Sequence, residues 1–321
     1  MTDLEGYIYD YRLGYVRAGM EGGFEIFGEG GAPGGRIVTL GGCGGWAARL
    51  YERMGGRTQI YDGCTDGYTS AQELIMLLRD GLLLKPKLVL CYSGFYNFAY
   101  KLGFVREKRY IPLLQKHPFA APRQIAFYEK ITARFGLGGD KVYYGEENDT
   151  PTPEYWLEQM DIIHDLCKEF GIRHLTFLQP CAFSGDYRRG AAENETLCEV
   201  YGLSRDGFRD EPGMTGATGE TELDEFAALF REQYAAAAQA ARSRDYIVDL
   251  SELFDGETGV YTNAADLSAA ALDRLASAVF RHIGEERPHG AQFCDLAEYF
   301  GADRQQTGVG EYHPGHGVAG A

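Results

Sequence analysis

The chain has 321 residues, with 47 Asp and Glu against 31 Lys and Arg, for a formal charge of −16 with neutral histidines. Its 45% hydrophobic and 24% charged residues are the balance of a folded globular protein rather than a disordered one. The acidic excess argues against nucleic acid and anionic membrane as partners, and no apolar run reaches the roughly 18–20 residues that span a bilayer.

The opening MTDLEGYIYDYRLGY lacks the basic region and apolar stretch of a signal peptide. Seven cysteines scattered over so long a chain do not suggest a disulfide framework, so a reducing, cytoplasmic setting is the expectation. Residues 1–35, rich in Tyr and Gly and ending in GEGGAPGG, read as an N-terminal extension. From Arg36 on, short apolar runs alternate with helical patterns, as in parallel βαβ units. Five strands are predicted: Arg36–Leu40, Thr58–Tyr61, Lys87–Tyr92, His174–Leu178 and Tyr246–Leu250. The third and fourth are nearly all apolar, as strands covered on both faces tend to be.

Between them, Ser70-Ala-Gln-Glu73 reads as a capping box that opens a helix to about Leu82. Thr152-Pro153-Glu154 starts a helix to Phe170, Thr221 caps one to about Arg242, and Ser268 opens one to Ile283. The fold class predicted is α/β: a three-layer αβα sandwich on a doubly wound, five-stranded parallel sheet. One domain covers residues 36–285, with insertions at about 98–151 and 182–220 too long for ordinary connections, and a tail over 286–321.

Ligands of such sheets bind outside the carboxyl ends of the strands. Those ends are Gly41-Gly-Cys-Gly-Gly45, Gly63-Cys-Thr-Asp-Gly-Tyr68, Ser93-Gly-Phe-Tyr-Asn97, Gln179-Pro-Cys181 and the stretch Phe254 to Asp266. Cys43 falls just before a helix N-terminus, where backbone N–H groups and the dipole favour a thiolate. Cys43, Cys64 and Cys181 all fall at this rim and form the one candidate metal set, although no C-x₂-C pair exists. Cys91, inside an apolar strand, suits packing. Trp46 is expected to pack on the sheet, Glu73 to serve its capping box, and Arg79 and Asp80 to be solvated.

At these loops the chain resembles the SGNH/GDSL hydrolases, serine esterases and acyl hydrolases on a flavodoxin-like sheet. RIVTLGGCGG is similar to the family's first block, where a strand and a glycine precede the nucleophilic serine. DGYTSAQELIMLLRDGLLLKPKLVLCYSGFYN is similar to the second and third blocks run together, and GVYTNAADLSAAALDRLASAVF to the last. The resemblance covers about residues 36–100 and 174–283. It implies an oxyanion hole made of the nucleophile's own N–H, a second-block glycine and a third-block asparagine, and a triad completed by an Asp and a His before the final helix.

Carried over position by position, the serine falls on Cys43, following Gly42. The glycine is present as Gly67. The asparagine falls on Tyr96, with Asn97 next, and a slip of one residue would return Asn97 to the donor role. The Asp falls on Asn263 and the His on Asp266. A carboxylate beside a thiol raises its pKa and is a poor base at neutral pH, so an ordinary serine-esterase mechanism is excluded.

Two main readings stay open. One is a non-hydrolytic pocket for an acylated sugar, lipid or small ester, with no cofactor. The other is a Cys43-dependent acyl hydrolase or transferase whose base comes from elsewhere, such as His117, His313 or His316. His164 and His174 suit structural roles better. A thiol-held metal, and acid–base chemistry by Asp66, Asp266 and Tyr96, are further alternatives. Nothing in the sequence speaks to oligomeric state.

Overall fold

The computed structural model describes residues 7–10, 14–17, 23–32, 34–101, 152–200 and 219–285. Most of the first insertion, the far part of the second, the tail, and His117, His313 and His316 lie outside the described residues.

All five predicted strands form, each within a residue or two of its expected bounds. They are β4 (Arg36–Gly41), β5 (Gln59–Asp62), β6 (Leu88–Ser93), β7 (Arg173–Leu178) and β8 (Ile247–Asp249). Their order is β5-β4-β6-β7-β8, all parallel. Numbered by first appearance this is 2-1-3-4-5, the doubly wound order whose chain reversal lies beside the first strand. Ile37 of β4 stands opposite Ile60 of β5 and Leu88 of β6, which aligns the strand ends in one rim.

The sheet has six strands where the sequence predicts five. Before it come β1 (Tyr7–Asp10) and β2 (Gly14–Arg17), an antiparallel pair. Then β3 (Glu25–Phe27) adds to β5 antiparallel, with Ile26 opposite Tyr61, and closes that edge. The segment read as an extension thus supplies an edge strand. A three-residue strand between glycines carries too little alternation to be recognised from pattern.

Every residue of β6 is buried, as strands covered on both faces must be. Tyr92 packs on Trp46 of α1 (Trp46–Arg53), and Ser93 meets Trp156 of the opposite layer. On the first face α1 packs against α7 (Ala269–Glu285). On the second lie α2 (Ser70–Met76), α3 (Phe95–Lys101), α4 (Thr152–Glu169) and α6 (Gly219–Ala241), with α5 (Ala191–Val200) against α6. The result is the three-layer α/β sandwich expected. Among the described residues no helix is long and apolar enough to cross a membrane.

The helix after β5 departs from expectation at both ends. Its cap is Thr69, whose N–H donates to Gln72 Oε1 at 3.1 Å, one residue ahead of the predicted box. It stops being α-helical at Met76, widens into a π turn over Leu77–Gly81, and leaves through Leu82–Leu84. Pro86 disfavours the right-handed region at the residue before it, and Lys85 takes φ 50.

Candidate functional site

Cys43 lies in the turn from β4 to α1, which Gly45 opens with φ 88. The thiol is 4% exposed. Its sulfur accepts from Gln179 Nε2 at 2.9 Å, at the end of β7, and is hydrogen-bonded to the Asp266 carboxylate. A sulfur that accepts from an amide and faces a carboxylate is a protonated thiol donating its own hydrogen. Burial pushes the thiol well above its usual pKa, and the charges of Asp266 and Asp66 push it further. The help of the helix N-terminus does not win.

Asp266 is aimed at Cys43 by a tight loop before α7. Asn263 Oδ1 accepts from the N–H groups of Ala265 and Asp266, both at 2.8 Å, and Thr262 N–H donates to Asp266 O at 2.9 Å. Asn263 Nδ2 also contacts the Asp266 carboxylate. The two positions matched to the triad's acid and base therefore bind one another, and Asp266 alone reaches the sulfur.

The cavity here measures about 330 Å³, and Cys43, Cys64, Asp66, Tyr92, Asp266 and Arg17 are among its lining residues. Among the described residues no histidine lines it. His174 is the second residue of β7, at the opposite end of the sheet, and His164 stacks on Tyr246 with ring centroids 3.9 Å apart. Burial brings His174 down to about 3, so it stays neutral in the fold.

The residues matched to the oxyanion hole stand behind this wall. Gly67 N–H donates to Gly42 O at 3.1 Å. The Asn97 side chain is held on α2: its Oδ1 accepts from Ser70 N–H at 3.0 Å, and its Nδ2 donates to Ser70 Oγ at 2.8 Å. Tyr96 lies on Gly42 so closely that a Cβ there would stand 2.4 Å from its ring. Gly42, Gly67, Tyr96 and Asn97 come together, but as packing around the Cys43 turn.

The three thiols do not converge on a metal. Cys64 shares the cavity with Cys43, and burial with the Asp62 charge raises its pKa well above the usual value. Cys181 is buried against Ser184 and Tyr234. Among the described residues no group of three or more Cys, His, Asp or Glu could hold an ion, which overturns that candidate set.

Sequence reasoning missed Arg17, Gln179 as a partner of the thiol, and the position of Glu73. Arg17 arrives from β2 and binds Asp62 through both O (2.8 Å) and Oδ2 (3.2 Å) and Glu25 at 3.2 Å. Nothing local in RLGYVRAG marks it. Glu73 is not a capping acid but 1% exposed, with Oε1 accepting from Ser93 Oγ at 2.7 Å, and Trp156 Nε1 in turn donates to Ser93 Oγ at 3.1 Å. Burial pushes its carboxyl up to about 8, so it is mostly neutral at pH 7. Its place three residues inside a helix made the capping explanation sufficient by pattern alone.

Three polar atoms at or beside the cavity are buried without a partner among the described residues: Tyr92 Oη, Arg17 Nε and Gln179 Oε1. Buried polar groups are almost always satisfied, so these three form an unsatisfied polar cluster beside the cavity.

No family model and no curated protein matches the chain. Solved structures do. A GDSL-like lipase from Bacteroides thetaiotaomicron aligns at 13% identity over 78% of this chain and 88% of its own, with a TM-score of 0.42. An acetylxylan esterase from Geobacillus stearothermophilus aligns at 14% identity over 81% and 97%, with a TM-score of 0.39. At that depth the likeness transfers no activity.

Proposed function

We propose that the chain is an SGNH/GDSL-hydrolase-like protein that binds a small acylated sugar in the Cys43 cavity without hydrolysing it. The observation that carries this reading is the set of three unspent polar atoms, Tyr92 Oη, Arg17 Nε and Gln179 Oε1, around a cavity whose machinery is spent on itself. A ligand that offers both hydroxyls and a carbonyl oxygen suits them, and Asp66 and Asp266 add acceptors. That polarity favours a sugar ester over a lipid, and about 330 Å³ admits one small ligand.

The chemistry for turnover is missing from the same place. Hydrolysis needs a base that takes the nucleophile's proton and gives it to the leaving group. Cys43 instead donates to a carboxylate that raises its pKa, and both Gly67 N–H and the Asn97 amide are engaged within the protein.

An acetylated xylose monosaccharide, titrated calorimetrically, is expected to bind and be recovered intact. Tyr92→Phe is expected to weaken that binding, and Cys43→Ser to release no acetate above the buffer rate. Steady acetate release by the wild-type chain or by Cys43→Ser would overturn the reading. So would a complete failure to bind the probe.

A further inference from the structure

A second cavity, of about 810 Å³, opens along the same rim between the turn after β7, the turn after β8, and helices α5 and α6. It is more than twice the size of the first and shares none of its lining residues. The Ala182–Ala264 backbone hydrogen bond, at 2.8 Å, ties its wall to the loop that aims Asp266.

Three guanidinium groups line it. Arg189 is fixed there: Nε donates to Asn194 Oδ1 at 3.0 Å, Nη2 to Asp224 Oδ1 at 2.7 Å, and the guanidinium lies 5.3 Å from the Phe183 ring centre. Arg231 stands close enough for its charge to act on Arg189. Its Nε donates to Ala227 O at 3.2 Å, and its two terminal nitrogens have no partner among the described residues. The guanidinium of Arg188 has none either, since only its backbone is bound, to Glu257 O at 3.3 Å. Asp224 pairs with Arg189, and the other two guanidinium groups have no carboxylate partner among the described residues.

Two further carboxyl groups, Asp186 and Asp255, also line it. Asp255 Oδ1 accepts from the Asp186 N–H at 2.9 Å, and the Asp186 charge lies near enough to raise the Asp255 pKa beside the larger effect of burial. Neither makes an ion pair among the described residues, so both retain oxygens that can accept hydroxyl hydrogens.

Forked guanidinium donors suit a carboxylate, and paired carboxylates suit hydroxyl groups. We propose that this second cavity binds a sugar acid, with its carboxylate on Arg188 and Arg231 and its hydroxyls toward Asp186 and Asp255. The site is separate from the Cys43 cavity and stands whether or not that cavity takes an acyl sugar.

Calorimetric titration of the full chain at low ionic strength with D-galacturonate, and with D-galactose as the neutral counterpart, tests this. Galacturonate is expected to bind at least about tenfold more tightly than galactose, and Arg231→Gln and Arg188→Gln each to weaken it by about tenfold or more. Added salt is expected to weaken it as well. Thermal melting confirms that each variant is folded; should Arg231→Gln fail to fold, the exposed Arg188 supplies the same measurement. Equal affinity for the two sugars, no galacturonate binding at millimolar concentration, or binding that survives both substitutions would overturn the proposal. Binding lost in Asp266→Asn but kept in Arg231→Gln would move the ligand to the first cavity and overturn it too.

Discussion

Around Cys43 the polar groups are mostly turned on one another, whereas beside α6 they are left over. The thiol gives its hydrogen to Asp266, Asn263 holds Asp266, and Gly67 and Asn97 spend their donors on Gly42 and Ser70. In the second cavity Arg189 alone is fully engaged, while Arg188 and Arg231 face open volume. Both sit at the strand ends where this architecture places ligands, yet in one the polar groups are largely satisfied within the protein and in the other two guanidinium groups have no partner among the described residues. Position at the rim makes a site; what the neighbours consume decides what the site can do.

The largest effect that would break this contrast is in the backbone. A Cβ on Gly42 would stand 2.4 Å from the Tyr96 ring and 2.8 Å from Tyr68 O, whereas one on Gly256, at the second cavity, meets no atom within 4 Å. Gly42→Ala is expected to cost about 4 kcal/mol and Gly256→Ala about 1 kcal/mol, the latter for its left-handed φ of 75 alone. Urea unfolding of both variants measures the difference, and equal losses would mean that the Cys43 wall is not tightly packed.

A smaller effect lies behind that wall. Glu73 is raised from 4.5 to about 8, so the folded state holds a proton that the unfolded chain releases earlier. Its contribution to stability is complete below about pH 4.5 and fades as the pH rises through 8. Glu73→Gln is expected to remove that decline, worth on the order of 3 kcal/mol between pH 5 and 8. His174, lowered to about 3, works in the opposite sense, its contribution present above 6.5 and lost as the pH falls toward 3. A wild-type melting curve with no decline between pH 7 and 8 would contradict the Glu73 assignment.

The smallest effect concerns the thiol itself. Asp266→Asn removes a charge that raises the Cys43 pKa, so alkylation of the Cys43 peptide by iodoacetamide at pH 8, followed by mass spectrometry, is expected to quicken by about tenfold. An unchanged rate would mean that burial alone keeps the thiol inert.

The parallel core was legible because RIVTL and KLVLCY are buried on both faces, and continuous apolar runs between helical patterns say so directly. The contacts of Cys43 were legible in part: the Asp266 position followed from the block before α7, and the suppressed thiolate from the charge beside it. What could not be read is what depends on distance through space. Arg17 reaches Asp62 across 45 residues, and Gln179 reaches Cys43 across 136. Glu73 looked like a capping acid because an acid in a first helical turn has an ordinary local explanation, and only the packing of Trp156 over Ser93 reveals its burial. Thr69 and Ser70 are both good caps, so a boundary one residue off is what pattern alone allows.

The short antiparallel strand Glu25–Phe27 has a practical meaning for anyone who shortens this protein. A version beginning at Arg36 would strip the cover from β5, leaving a bare row of amides and carbonyls ready to recruit another chain, and would take away the Arg17 guanidinium that neutralises Asp62 under the cavity floor. Aggregation after such trimming would be a fault of the cut, and would carry no information about the intact protein.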